Sequence, residues 1–218
     1  MASACATRSG AKPHIGTRSA IALLLGSAIL VGACSCDDVG YLKPLPTVEA
    51  VSETTPVPSR GDAADDPAVW VHPEDPQQSR VLGTNKQGGL HVYDLQGSEL
   101  QYLEVGRVNN VDLRQDVPWG SSTIDLAAAT NRSDQTISLF HLDRATGAAT
   151  FVQDASIATD FVDPYGICLY HDLDAGLLYV FANDKDGRYR QWRLDPGPDD
   201  SIESTPVREF QLASQPEG

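Results

Sequence analysis

Asp62, Asp65 and Asp66 crowd the nonapeptide Asp62-Ala63-Ala64-Asp65-Asp66-Pro67-Ala68-Val69-Trp70, an acidic turn that leads directly into an apolar segment of strand character. Oxygen-bearing side chains recur at Asn110-Val111-Asp112-Leu113, Asp163-Pro164-Tyr165-Gly166-Ile167 and Gln215-Pro216-Glu217-Gly218. Asp66, Asp112, Asp163 and Glu217 are 46, 51 and 54 residues apart, a period in the range of propellers and solenoids. A second set keeps the same phase: Thr84-Asn85-Lys86, Thr130-Asn131-Arg132 and Asn183-Asp184-Lys185 each place one cation in a turn between strand-like segments. Carboxylates gathered in one opening repel by about 4 kcal/mol per pair at ~4 Å and an effective dielectric near ~20, so they call for a compensating cation. Oxygen donors select a hard ion, and calcium, with about 6 to 8 ligands in flexible geometry, suits donors drawn from separate loops. On residue type and phase alone, Asp65, Asp66, Asn110, Asp112, Tyr165 and Glu217 are the candidate donors. Lys86, Arg132 and Lys185 call for a multiply charged anion, because Arg grips phosphate through two parallel hydrogen bonds and Lys acts as a point charge. One such cation is an ordinary solvated hairpin charge; three in phase around one opening describe a site for phosphate esters.

The chain that positions these residues has 218 residues, 41% of them hydrophobic, enough for one domain with its own core. All 30 acidic residues follow Cys34, whereas Arg8, Lys12 and Arg18 precede it. Such an acidic body argues against a nucleic-acid partner, which requires a basic face, and fits either cation binding or a solvated acidic surface. Residues 1–20 are polar, basic and free of acids, and Ala20 to Ala33 is an apolar run of 14 residues, short for a membrane span but suited to a signal-peptide core. Its end, Leu30-Val31-Gly32-Ala33-Cys34, resembles the bacterial lipobox, in which the cysteine is lipidated after cleavage. The expected organisation is a lipoprotein-type signal over 1–34, an extended proline-containing tether over 35–61 and a folded part over 62–218. The protein is expected to be exported, membrane-bound only through a lipid on Cys34, and otherwise secreted or periplasmic. With Cys5 and Cys34 so assigned, Cys36 and Cys168 make no disulfide framework, and no His or Cys pair accompanies Cys34-Ser35-Cys36 to form a zinc site. His72, His91, His141 and His171 stand out of phase with the turns and are expected to be packing or surface residues.

From Pro67 onward, short β-rich segments alternate with turn signals and no helical period appears. Residues 67–72, 80–85, 89–95 and 99–105 predict four strands. The next unit is predicted over 111–114, 123–130, 135–142 and 148–153, and a third over 165–171, 177–182, 188–194 and 206–212. Third strands end alike, in Val92-Tyr93-Asp94-Leu95, Phe140-His141-Leu142-Asp143 and Trp192-Arg193-Leu194-Asp195. Four antiparallel strands repeating with the same chemistry predict an all-β propeller, with about three blades and the start of a fourth.

Asp62 to Trp70, Thr84-Asn-Lys86, Asn109-Asn-Val-Asp-Leu-Arg114, Asn131-Arg-Ser133, Tyr165-Gly166 and Gln215-Pro-Glu-Gly218 together are similar to the β-propeller phytases, calcium-dependent bacterial enzymes. The resemblance runs from about Glu53 to the last residue. It implies a six-bladed, monomeric propeller that hydrolyses phosphomonoesters of phytate or calcium phytate. It also implies calcium ligands at Glu53, Asp65, Asp66, Asn109 or Asn110, Asp112, Tyr165 and Glu217, and phosphate-binding residues at Lys86, Arg132 and Lys185. With Glu217, those three bases form the implied catalytic set, in which water activated by calcium attacks phosphorus in line and no side chain becomes phosphorylated. Three blades are half of six, so the chain is read as part of a longer reading frame. Two other classes compete: a surface lipoprotein that binds calcium and an anion without catalysis, and a calcium propeller acting on sugar lactones. The lactonase has no use for three bases in phase.

Overall fold

The structure is a computed structural model that describes residues 46–198 and 201–213. Residues 48–198 and 201–213 belong to one compact unit. Its strands are β1 (Ala64–Trp70), β2 (Arg80–Asn85), β3 (Leu90–Tyr93), β4 (Glu99–Leu103), β5 (Val108–Trp119), β6 (Ser122–Asn131), β7 (Thr136–Leu142), β8 (Ala149–Phe151), β9 (Ile157–Ala158), β10 (Pro164–Asp172), β11 (Leu177–Asp184), β12 (Arg188–Pro196) and β13 (Ile202–Gln211). They form three antiparallel sheets, β1-β2-β3-β4, β5-β6-β7-β8 and β10-β11-β12-β13, with β9 added beside β7. Each is an up-and-down four-stranded unit of the propeller-blade kind. No α-helix occurs among the described residues.

Two cores hold the sheets together. Trp70, Leu82, Leu90 and Val92 of the first blade meet Ala127, Ala129, Phe140 and Leu142 of the second. Leu126, Ala128, Ile137 and Leu139 project from the opposite face of that second blade against Leu169, Leu178, Val180 and Trp192 of the third. Side chains alternate across a strand, so burying both faces of the middle sheet requires the unbroken apolar run Leu126-Ala127-Ala128-Ala129, and its alanines let the sheets approach closely.

The second blade departs from the expected boundaries. β5 runs for twelve residues, although its polar Arg114-Gln115-Asp116 reads as the end of a short strand. A register shift between Arg114 and Val117 absorbs these residues. Asp116 adopts a positive φ of 55° and donates its N–H to Asp125, and pairing then resumes at Val117. The segment expected as a tether is described from residue 46 onward. Ser52 to Arg60 has no regular secondary structure yet is docked on the first blade: Ser52 and Thr55 donate to the Gln96 and Gly97 carbonyls, and Ser59 and Arg60 accept from Asn85 and Gln87. Gly97, at φ +86°, has room for no side chain, since a Cβ there would lie 1.9 Å from the Glu53 carbonyl oxygen.

Candidate functional site

The first strands of the three blades share one irregularity. Pairing with the second strand slips between Ala64 and Pro67, between Val108 and Val111, and between Pro164 and Ile167. These bulges lift Asp65-Asp66, Asn109-Asn110 and Tyr165-Gly166 out of the ladder at one place in each blade, a common device for re-aiming side chains. Opposite each bulge stands the end of the second strand, through the pairs Ala64↔Asn85, Val108↔Asn131 and Pro164↔Asp184. The next residues are the three cations. Backbone N–H groups of Lys86, Arg132 and Lys185 donate to the carbonyls of Ala63 (2.8 Å), Arg107 (2.9 Å) and Asp163 (3.4 Å), so the bases occupy equivalent turns. The acids are phased differently from the expectation. Asp66 is equivalent to Asn110 and Gly166, at spacings of 44 and 56 residues, and not to Asp112 and Asp163.

The bases fall into two groups. Lys86 Nζ lies 2.8 Å from Asp62 and 3.1 Å from Asp65 within the first blade, its side chain 13% exposed. The Asp62 hydrogen bond holds its ammonium above the usual lysine range, against the opposing pull of burial. Arg132 and Lys185 come together from separate blades. Arg132 Nε is 2.6 Å from Asp163 Oδ1 and Lys185 Nζ is 3.4 Å from Asp163 Oδ2. Both cations also lie over the Tyr165 ring, at 5.1 and 4.5 Å from its centre. Arg132 Nε, despite its ion pair, and Arg132 Nη2 are both buried with no hydrogen-bond partner among the described residues, orphan donors suited to an anion's oxygen.

The oxygen donors divide similarly. Asp66 Oδ2 accepts from the Val111 N–H at 3.0 Å, and Asp112 Oδ2 accepts from the Leu169 N–H at 2.8 Å, each carboxylate reaching the blade that follows. Asp112 Oδ1 is also taken by Arg114 and by the Leu113 N–H, so both of its oxygens are engaged within the protein. Threonines tie the bulges together. Thr84 accepts from the Asp66 N–H and donates to the Asn109 carbonyl, while Thr130 accepts from the Asn110 N–H and donates to the Tyr165 carbonyl. Asn109 is fully buried; its amide donates to Asn110 Oδ1 while its own Oδ1 has no partner. A buried oxygen with nothing to accept fits a hard cation. No group of three His, Cys, Asp or Glu set to hold a metal occurs among the described residues. Asp65, Asp66 and Asn109 lie on the bulges of the first two blades, and Asn109 Oδ1 is the oxygen among them left without a partner.

Not all of the other expected residues lie with these. The backbone of Glu53 sits beside the Gln96-Gly97 turn, and the next residue, Thr54, lines one pocket with Asp65 and Asp66. Tyr165 is placed among bases, where its ring meets positive charge, and not among the first blade's carboxylates. Glu217 and Cys34 lie outside the described residues. His72 and His91 are buried packing groups: His72 Nδ1 accepts from two backbone N–H groups, and His91 pairs with Glu99 beneath Tyr102. Cys168 is a free thiol on β10. Asn131 is buried and donates to the Val105 carbonyl and Ser138, so it holds its turn. Absent from the expected set were Asp62 and Asp163, the acids that hold the bases. Their signal was present, since Asp62 opens the first acidic turn and Asp163 stands directly before Pro164-Tyr165 in the third.

A phytase family model matches residues 12–218. The 3-phytase of Bacillus subtilis (strain 168) is 43% identical over 175 residues, which cover 78% of this chain and 46% of that protein. The chain thus spans about half the length of the curated relative it matches. With bulge and base repeated in three successive blades and the family match extending over nearly all of its length, the chain belongs to the phytase family.

Proposed function

We propose that the full-length protein containing this chain is a calcium-dependent phytase that releases phosphate from phytate. The observation that carries this is the meeting of Arg132 and Lys185 on one tyrosine, with a guanidinium nitrogen buried and unpartnered beside a bulge whose Asn109 oxygen is equally unsatisfied. One orphan donor calls for an anion and one orphan acceptor for a cation. A phosphate ester and a hard metal ion meet both demands together.

In this proposal Arg132 and Lys185 bind and orient substrate phosphate, neutralising charge that grows on its oxygens as the ester bond breaks. Lys86, buried in part against Asp62 and Asp65, contributes a third positive charge on the neighbouring blade. Glu217 would join these groups as the family resemblance implies. Asp65, Asp66 and Asn109 would hold calcium, which when bound stabilises negative charge and makes water more acidic. The test is direct. Full-length protein with calcium should release inorganic phosphate from phytate, and a chelator should abolish release. Folded, calcium-loaded protein that binds phytate without hydrolysing it would replace the enzyme with a binding module.

Export as a lipoprotein is proposed with it, on the basic, acid-free N-terminus, the 14-residue apolar run and the lipobox-like Leu30 to Cys34. Cys34→Ser should move the full-length protein from the membrane fraction of a bacterial host to the soluble one. Membrane association left unchanged by that substitution would refute lipidation at Cys34.

A further inference from the structure

We infer that Asp163 is a positioning residue, which sets the spacing of Arg132 and Lys185 and turns two separate bases into one phosphate-binding unit. The inference rests on the proposed phosphate chemistry and adds to it a residue that does not itself touch substrate.

The backbone of Asp163 is fixed to its own blade from two sides. Its N–H and that of Val162 donate to the two oxygens of Asp184, at 3.0 and 2.8 Å, and its carbonyl accepts from the Lys185 N–H. Asp184 is 1% exposed and is itself held by Arg188 at 2.9 Å. From that anchor the Asp163 carboxylate divides its oxygens, Oδ1 to Arg132 of the second blade and Oδ2 to Lys185 of the third. Oδ1 is ion-paired with the Nε edge of the guanidinium without a hydrogen bond, and the buried Nε and Nη2 nitrogens both remain without a hydrogen-bond partner. A carboxylate between two cations also offsets their mutual repulsion, so both can stand over Tyr165 before any ligand arrives.

The fold does not require an acid at this position. Ala63 and Arg107 occupy the equivalent places in the first and second blades, and each receives the same backbone hydrogen bond from its blade's base. Neither supplies a carboxylate. What distinguishes the third blade is that its pre-strand residue reaches across to the base of the blade before it.

The test compares Asp163→Ala, Asp163→Asn and Asp163→Glu with wild type in the full-length protein. Inorganic phosphate is the probe, read as competitive inhibition of phytate hydrolysis and, independently, as a phosphate-induced rise in melting temperature. Asp163→Ala should weaken phosphate binding and raise KM by about tenfold or more, since both bases lose their common anchor. Asp163→Asn retains the shape without the charge and should lose nearly as much. Asp163→Glu should recover part of the loss. Melting temperature without phosphate should change little, because Ala63 and Arg107 show that the backbone arrangement survives other side chains. Unchanged phosphate affinity in Asp163→Ala, with or without a lower melting temperature, overturns the inference, as does an Asn variant equal to wild type. Wild type that binds phosphate without hydrolysing phytate would end the phytase proposal while Asp163 is still judged by the phosphate titration. Wild type that binds none overturns both.

Discussion

Arg132→Ala should lower kcat/KM for phytate by about 30-fold to 1,000-fold in the full-length protein, a loss of roughly 2 to 4 kcal/mol of transition-state stabilisation. The size follows from placement. The guanidinium is 13% exposed, held through Nε by Asp163 and packed over Tyr165, so it is pre-oriented at little further entropic cost when an anion arrives. Alanine removes its fork of donors. Folding should survive, because the turn is kept by backbone pairing of residue 132 with Arg107 and by Asn131, whose amide reaches Val105 and Ser138. Arg132→Lys restores charge without the fork and should recover only a minor part of the rate. Steady-state kinetics beside a melting curve decides it: a variant that melts like wild type and retains more than about a third of its kcat/KM would exclude Arg132 from the reaction.

Asp125→Ala should show the reverse pattern, destabilising by about 3 to 5 kcal/mol while kcat/KM of the protein that remains folded stays near wild type. Asp125 is 1% exposed and lies toward the end of β6 away from the bulges. Its carboxylate accepts from the Trp70 indole N–H at 2.7 Å, from the Asp116 N–H at 2.9 Å and from Arg144. Trp70 is fully buried in the core between the first two blades, so removing Asp125 strands an indole N–H there along with a backbone N–H. Arg144 retains only its exposed partner Asp116. Asp125→Asn, which can still accept from Trp70, should cost less. Denaturant midpoints of the full-length variants measure the loss, and a change below about 1 kcal/mol would mean that Asp125 is not the tie between these blades.

Strand order and the three in-phase bases were legible in the sequence, because alternation, turn residues and chain spacing all act locally. Phasing of the acids was not. A bulge inserts residues into one strand without marking its composition, so aligning Asp66 with Asp112 and Asp163 by distance along the chain missed the true partners, Asn110 and Gly166. The use of Asp112 was hidden for another reason. Whether a carboxylate is free for a metal depends on which backbone N–H groups meet it, and Leu169 is 57 residues away. Where the segment around Glu53 docks was equally hidden, since an extended stretch has no periodicity from which to read it. Asp163 could be seen as an acid ahead of the third blade, but only the approach of two blades reveals that it serves bases from both.

The ties between bulges run in one direction along the chain. At that end of the sheets Asp66 and Thr84 reach from the first blade to the Val111 N–H and the Asn109 carbonyl of the second. Asp112 and Thr130 do the same from the second to Leu169 and Tyr165 of the third. In these four ties the side chain belongs to the blade made earlier and the group it grasps belongs to the backbone of the later one, whereas the Asp163 carboxylate reaches back to Arg132. During synthesis on the ribosome, each finished blade therefore presents a ready template to the next, and the newcomer can dock as soon as its first strand emerges. Because every residue type offers the same carbonyl and every residue but proline the same N–H, the incoming blade is free to diverge at these positions. Such a docking rule leaves the side chains of the bulges free to differ from blade to blade, as Asp65-Asp66, Asn109-Asn110 and Tyr165-Gly166 do.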